Sequence, residues 1–188
     1  NKYDSKNEVL ALFDPVDHKR ARIYNNRLVI NWDNAHSLEK FQSIIKTTVD
    51  SVITHLELEN FSRIGMRGLW AAKVNDKKTA IELIKNKFYP EHNDITKKFT
   101  GNLEELGLSF KLTKNNFITN ITIQPQHLQS LEVENVEVKA SFDEHVLGFD
   151  VDVYVDRYIK TNDFNNTVSR IINFHNKRIE ELKNVLEG

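Results

Sequence analysis

Gly148-Phe149-Asp150-Val151-Asp152-Val153-Tyr154-Val155-Asp156 alternates strictly, with Phe149, Val151, Val153 and Val155 on one side and Asp150, Asp152, Tyr154 and Asp156 on the other. A period of two residues belongs to an extended strand, whose successive side chains point to opposite faces. The stretch therefore reads as a strand with one apolar and one acidic face, half buried in an antiparallel sheet. A row of carboxylates on a rigid strand has two readings. It is the beginning of a metal or acid/base site, or it is a solvated sheet face balanced by cations on a neighbouring strand.

Working outward, the same periodicity predicts strands elsewhere. Arg20 to Trp32 reads as a hairpin turning at Asn25-Asn26, because asparagine tolerates the positive φ of a two-residue turn. Phe61 to Val74 alternates with Ile64, Met66, Trp70, Ala72 and Val74 on one face and Arg63, Gly65, Arg67 and Lys73 on the other. A second hairpin, Leu108 to Thr113 with Phe117 to Gln124, turns at Asn115-Asn116 and is expected to stop at Pro125. Leu131 to Phe142 and Val146 to Tyr158 are expected to pair around Asp143-Glu144-His145.

Helices show as steps of three and four. Leu38, Phe41, Ile45, Val49, Val52 and Leu56 mark one over Leu38 to Leu58, with Ser37 as its cap. A shorter helix follows a cap at Asn75 or Asp76, buries Ala80, Ile81, Ile84 and Phe88, and ends at Pro90. The closing helix is capped near Asn162 or Asp163 and carries the stripe Phe164, Val168, Ile171, His175, Ile179, Leu182 and Leu186. The expected fold is α+β, with a mainly antiparallel sheet packed against two long helices and one shorter one. A polar N-terminal segment, 1–19, precedes a single domain, 20–188. Because residue 1 is Asn and not Met, a fragment or processed chain with further structure before it is expected.

Composition bounds the function. A net charge of −1 disfavours general nucleic-acid binding, which calls for a basic excess. Absence of cysteine removes disulfides, thiolate metal sites and cysteine nucleophiles, and fits a cytoplasmic address. No apolar run approaches the ~20 residues of a membrane span. Charge is uneven: Ser130 to Asp156 holds eight acids and one base, whereas Lys73 to Lys98 holds seven lysines and four acids.

Ser62-Arg63-Ile64-Gly65-Met66-Arg67 after a helix, Phe149-Asp150-Val151-Asp152-Val153-Tyr154 late in the chain, and His175 in the closing helix are together a familiar set. They resemble a sporadically distributed family of uncharacterised bacterial proteins with an R-[IL]-G-[LM]-R-Y-[IV]-N stretch, a later D-[IV]-D strand and a C-terminal helix carrying His. This chain has Gly68, Leu69 and Trp70 where that family continues with Tyr and Asn. The resemblance implies a bacterial or phage source and this order of elements, and supplies no activity, cofactor or mechanism.

Five residues form the candidate ligand-binding set: Arg63, Arg67, Asp150, Asp152 and Tyr154. Asp150 and Asp152 lie about 7 Å apart at ~3.3 Å rise per residue, close enough to share a hard cation such as Mg²⁺. Arg63 and Arg67 flank Gly65, leaving a gap that suits a carboxylate, a phosphate or an aromatic ring, unless the arginines answer the two aspartates across the sheet. His175 is expected to be a buried core histidine with a hydrogen-bond partner. No phosphate loop, nucleophile elbow or zinc-type histidine spacing occurs. The leading expectation is thus a non-enzymatic binding or interaction protein of bacterial or phage origin, without cofactor or metal, recognising a protein partner or a small anionic ligand. A homodimer is compatible with it. The alternative is a metal-dependent phosphoryl-transfer or nuclease-like enzyme using the Asp-x-Asp pair.

Overall fold

The computed structural model describes residues 2–4, 9–14, 19–24, 27–32, 38–88, 103–134 and 137–187. By contacts the chain divides into two units, Asn1–Glu59 and Asn60–Gly188. The fold is α+β and its sheets are antiparallel, but there are two sheets of four strands where one was expected.

In the first unit β1 (Lys2–Asp4), β2 (Val9–Asp14), β3 (Lys19–Ile23) and β4 (Leu28–Trp32) pair in sequence order. Two of these strands occupy the segment expected to be a polar approach. The signal for β2 was present, since Val9-Leu10-Ala11-Leu12-Phe13 is an apolar run bounded by Glu8 and Asp14. β3 and β4 form the expected hairpin, with Ile23 opposite Leu28 and the Tyr24 N–H donating to the Arg27 carbonyl at 2.8 Å. The Asn25-Asn26 turn itself and the Ser37 cap lie outside the described residues. Helix α1 spans Leu38–Leu56 and belongs to this unit, with Phe41 6.1 Å from the Trp32 ring. It closes as a Schellman motif: Glu57 takes a φ of 51° and the Leu58 N–H donates to the Ile53 carbonyl.

The second unit is a sheet in the order β5-β8-β7-β6, built from β5 (Asn60–Lys73), β6 (Leu108–Lys114), β7 (Phe117–Glu134) and β8 (Glu137–Lys160). Asn115 and Asn116 turn the β6–β7 hairpin with φ of 51° and 68°, the left-handed pair that a type I′ turn demands. Pro125 does not stop β7. It stands beyond the last β6 pair, Leu108 with Ile123, where β7 has become an edge that tolerates a residue without an N–H. Nor do Asp143, Glu144 and His145 form a turn. They lie within β8 opposite Gln129, Leu128 and His127, and the hairpin closes after Glu134 pairs with Glu137. Cross-strand partners explain the misreading: His127 and His145 stack at 4.6 Å, Asp143 meets the His127 ring, and Glu144 meets Lys73. A charged triplet resembles a loop only until its pairs are counted.

Helix α2 (Lys77–Leu83) starts on Asp76, whose carboxylate accepts from the Thr79 N–H at 2.7 Å and the Thr79 hydroxyl at 2.8 Å. These bonds, the backbone one foremost, hold the Asp76 carboxyl below its ordinary value. The helix continues as a π-helical turn, Ile84–Phe88, and buries Ala80, Ile81 and Ile84. The expected stop at Pro90 lies outside the described residues. After a short 3₁₀ turn, Thr161–Asp163, helix α3 (Phe164–Glu187) lays Phe164, Val168, Ile171, His175 and Ile179 onto the sheet. These side chains meet the inner face of β8 and β7, where Val151, Val153, Ile123 and Leu147 are fully buried. Helix α3 packs on the sheet of its unit as expected, and α1 belongs to the first unit. No helix among the described residues is long and apolar enough to cross a membrane.

Candidate functional site

Opposite the core, the outer face of β5 and β8 collects all five candidate residues. Register places Gly65 across from Tyr154, Arg67 across from Asp152, and Arg63 across from Asp156. The cations do not pair straight across. Arg67 donates from Nε to Asp150 at 2.8 Å and from its terminal nitrogen to the second oxygen of the same carboxylate, a bidentate fork. Arg63 reaches past Tyr154 to Asp152 at 3.1 Å. Lys73, opposite Val146, pairs with Glu144. All three cations lean the same way, each to an acid N-terminal to the β8 residue opposite, a diagonal within reach of long side chains.

The gap at Gly65 is filled. A Cβ at Gly65 would lie 2.8 Å from the Tyr154 Cβ, so glycine is what lets the two strands carry this tyrosine at all. The Tyr154 ring is buried, and the Arg63 guanidinium lies 3.8 Å over its centroid. Such stacking contributes ~0.5–2 kcal/mol and fixes the plane of the guanidinium. The aromatic ring anticipated between the arginines is therefore the protein's own.

The two aspartates are half buried, while the Arg63 and Arg67 side chains are 52% and 65% exposed. Arg67 is held above its ordinary pKa by its hydrogen bond to Asp150 and by that charge. A guanidinium has five N–H donors, so Arg67 keeps three after its fork and Arg63 keeps more. Asn120 and Thr122 of β7 continue the polar face beside Asp152 and Asp150. Among the described residues no group of three or more His, Asp or Glu is arranged to hold a metal ion.

His175 is fully buried on the other face of the same strands. A Cβ at Gly68 would fall 2.7 Å from its Cε1 and Nε2, so Gly68 is the seat of the imidazole. The resemblance included His175, whereas Gly68 is a position at which this chain departs from that family's pattern. Neither ring nitrogen makes a well-formed hydrogen bond, and the Val151 backbone and the Asn176 side chain are the ring's nearest polar partners, so the partner expected for His175 is present only loosely. Burial lowers its pKa, outweighing the nearby Val151 backbone, the Asn176 side chain and the Asp152 charge, so the ring is neutral at pH 7. His18, His36 and His92 lie outside the described residues.

No family, curated protein or solved structure matches this chain.

Proposed function

We propose that this chain is a binding protein without chemistry of its own, of bacterial or phage origin and cytoplasmic, recognising a protein partner or a small anionic ligand through the outer face of β5 and β8. One observation carries this reading: both aspartates are engaged by arginines whose side chains remain more than half exposed. A carboxylate that orients a guanidinium fixes its fork and leaves the remaining donors for an incoming acceptor. Tyr154 adds a rigid base beneath Arg63. The competing enzyme reading requires Asp150 and Asp152 to leave these partners and converge on a cation.

Native mass spectrometry of the protein purified from its host tests the reading. The wild type is expected to carry a bound mass that Arg63→Ala with Arg67→Ala loses while remaining folded. A mass retained by that double variant places binding elsewhere and overturns the assignment.

A further inference from the structure

β5 is the end strand of its sheet, with a neighbour on one side among the described residues. Its free side presents a row of backbone N–H and C=O groups, a template for another strand. Natural edges are commonly short, interrupted by proline or twisted away by a bulge. β5 is 14 residues long, has no proline, and runs in unbroken register from Arg63 to Lys73 after a single irregularity near Phe61. Between Arg67 and Lys73 it is apolar and open on both faces: Leu69 is 74% exposed, Trp70 42%, and Ala71 is exposed too. On the α3 side Trp70 and Ala72 border a shallow apolar groove with Phe149, Ile179 and Leu182.

Charge decides what this edge accepts. Between Asn60 and Lys73 there are three cations, Arg63, Arg67 and Lys73, and no carboxylate. All three fall on the outer face, and each side chain is more than half exposed. A second copy of β5 brings no acid opposite these cations in any register, and like charges directly across a ladder are destabilising. A strand with carboxylates at alternate positions meets the opposite situation, since its acids stand within reach of guanidinium donors that Asp150 and Asp152 leave unused.

We propose that the free edge of β5 receives an extended acidic segment of a partner protein as a fifth strand. Its carboxylates face Arg63, Arg67 and Lys73, and an apolar side chain of its opposite face enters the groove beside Trp70. Arg63 and Arg67 are four residues apart, so the segment needs acids of matching spacing on one face. Main-chain bonds supply affinity and the alternate side chains supply selectivity, the usual division in strand addition. This inference rests on the binding reading above and narrows its partner.

The test is selection of random twelve-residue peptides displayed on phage against the intact protein. The expected winners alternate acidic and apolar residues. Their synthetic forms should slow hydrogen exchange at alternate backbone amides between Ile64 and Lys73. Leu69→Asp should weaken them about fivefold by placing a like charge in the ladder; because Asp150 stands opposite, its melting temperature is measured alongside and binding is compared where the variant is fully folded. Winners that are basic or lack alternation, protection outside β5, or no enrichment at all would overturn the proposal. Titration with succinate, followed at the arginine Nε–H resonances, separates the two levels. Shifts at Arg63 and Arg67 without strand binding refute strand addition and leave small-anion binding standing, whereas no response to either probe refutes both.

Discussion

The two faces of β5 and β8 are cut from the same alternating residues, yet they are held by different physics. On the inner face Val151 and Val153 are fully buried against α3, and burying one such side chain contributes roughly 1.5–3 kcal/mol. On the outer face the Arg63–Asp152 and Arg67–Asp150 pairs stand at half-exposed positions, where an ion pair contributes about 0–1 kcal/mol. The inner face therefore determines whether the unit folds, and the outer face is free to be shaped by what it binds. His175 marks the boundary, as a polar ring sealed on the side where polarity brings no stability.

That contrast is most easily broken at His175. His175→Asp should destabilise by about 3–5 kcal/mol, because it places an unpaired charge at a fully buried position. His175→Leu should melt at or above wild type, since it removes two buried nitrogens that lack well-formed hydrogen bonds. A thermal melt in which the Asp variant equals wild type would end the claim that this site is sealed.

Next in size is Gly68→Ala, expected to cost about 1–3 kcal/mol through overpacking against the ring. Combining it with His175→Ala should recover part of that loss, as a double-mutant cycle would show. Strict additivity of the two changes would mean that Gly68 serves another purpose.

The same histidine gives the inner face a pH dependence. Its folded pKa is lowered by burial, so below about pH 6.5 the unfolded chain takes up a proton that the folded chain does not. Stability should consequently fall as pH drops below that value, by at most about 1.4 kcal/mol per pH unit from this group, until the folded pKa is reached. Denaturant titrations at pH 7 and pH 5.5 should show this loss in wild type and a smaller one in His175→Leu.

The outer face should respond least. Asp150→Asn with Asp152→Asn is expected to lower stability by ~0.2–1 kcal/mol per pair, and the difference should shrink in 1 M salt. Removing Arg63 and Arg67 as well should restore part of it. A loss of several kcal/mol would show these pairs to be part of the core's support.

How far the sequence could be read follows the same division. Period-two alternation placed β5 and the centre of β8, and the stripe of α3 was legible down to His175, because burial on one face imposes a pattern. The extent of β7 and β8 was not legible. Pro125 and Asp143-Glu144-His145 look like breaks, and only the end of β6 and the cross-strand partners Lys73 and His127 make them strand residues. The pairing of arginines with aspartates was one of two open readings, and its diagonal geometry depends on register that no local pattern encodes. Tyr154 as the filler of the Gly65 gap, and Gly68 as the seat of His175, needed the strands and helix in contact.

The most direct measurement is a melt of wild type and of Asp150→Asn/Asp152→Asn with and without millimolar Mg²⁺ or Mn²⁺. If the aspartates serve to hold Arg63 and Arg67, the wild type melts at the same temperature with and without metal, and the double variant melts slightly lower in both. A clear metal-dependent rise in the wild type, abolished in the double variant, would be the signature of ligands binding a cation, worth ~2.7 kcal/mol at a hundredfold excess over the dissociation constant. That result would contradict the binding-protein account and support the enzyme.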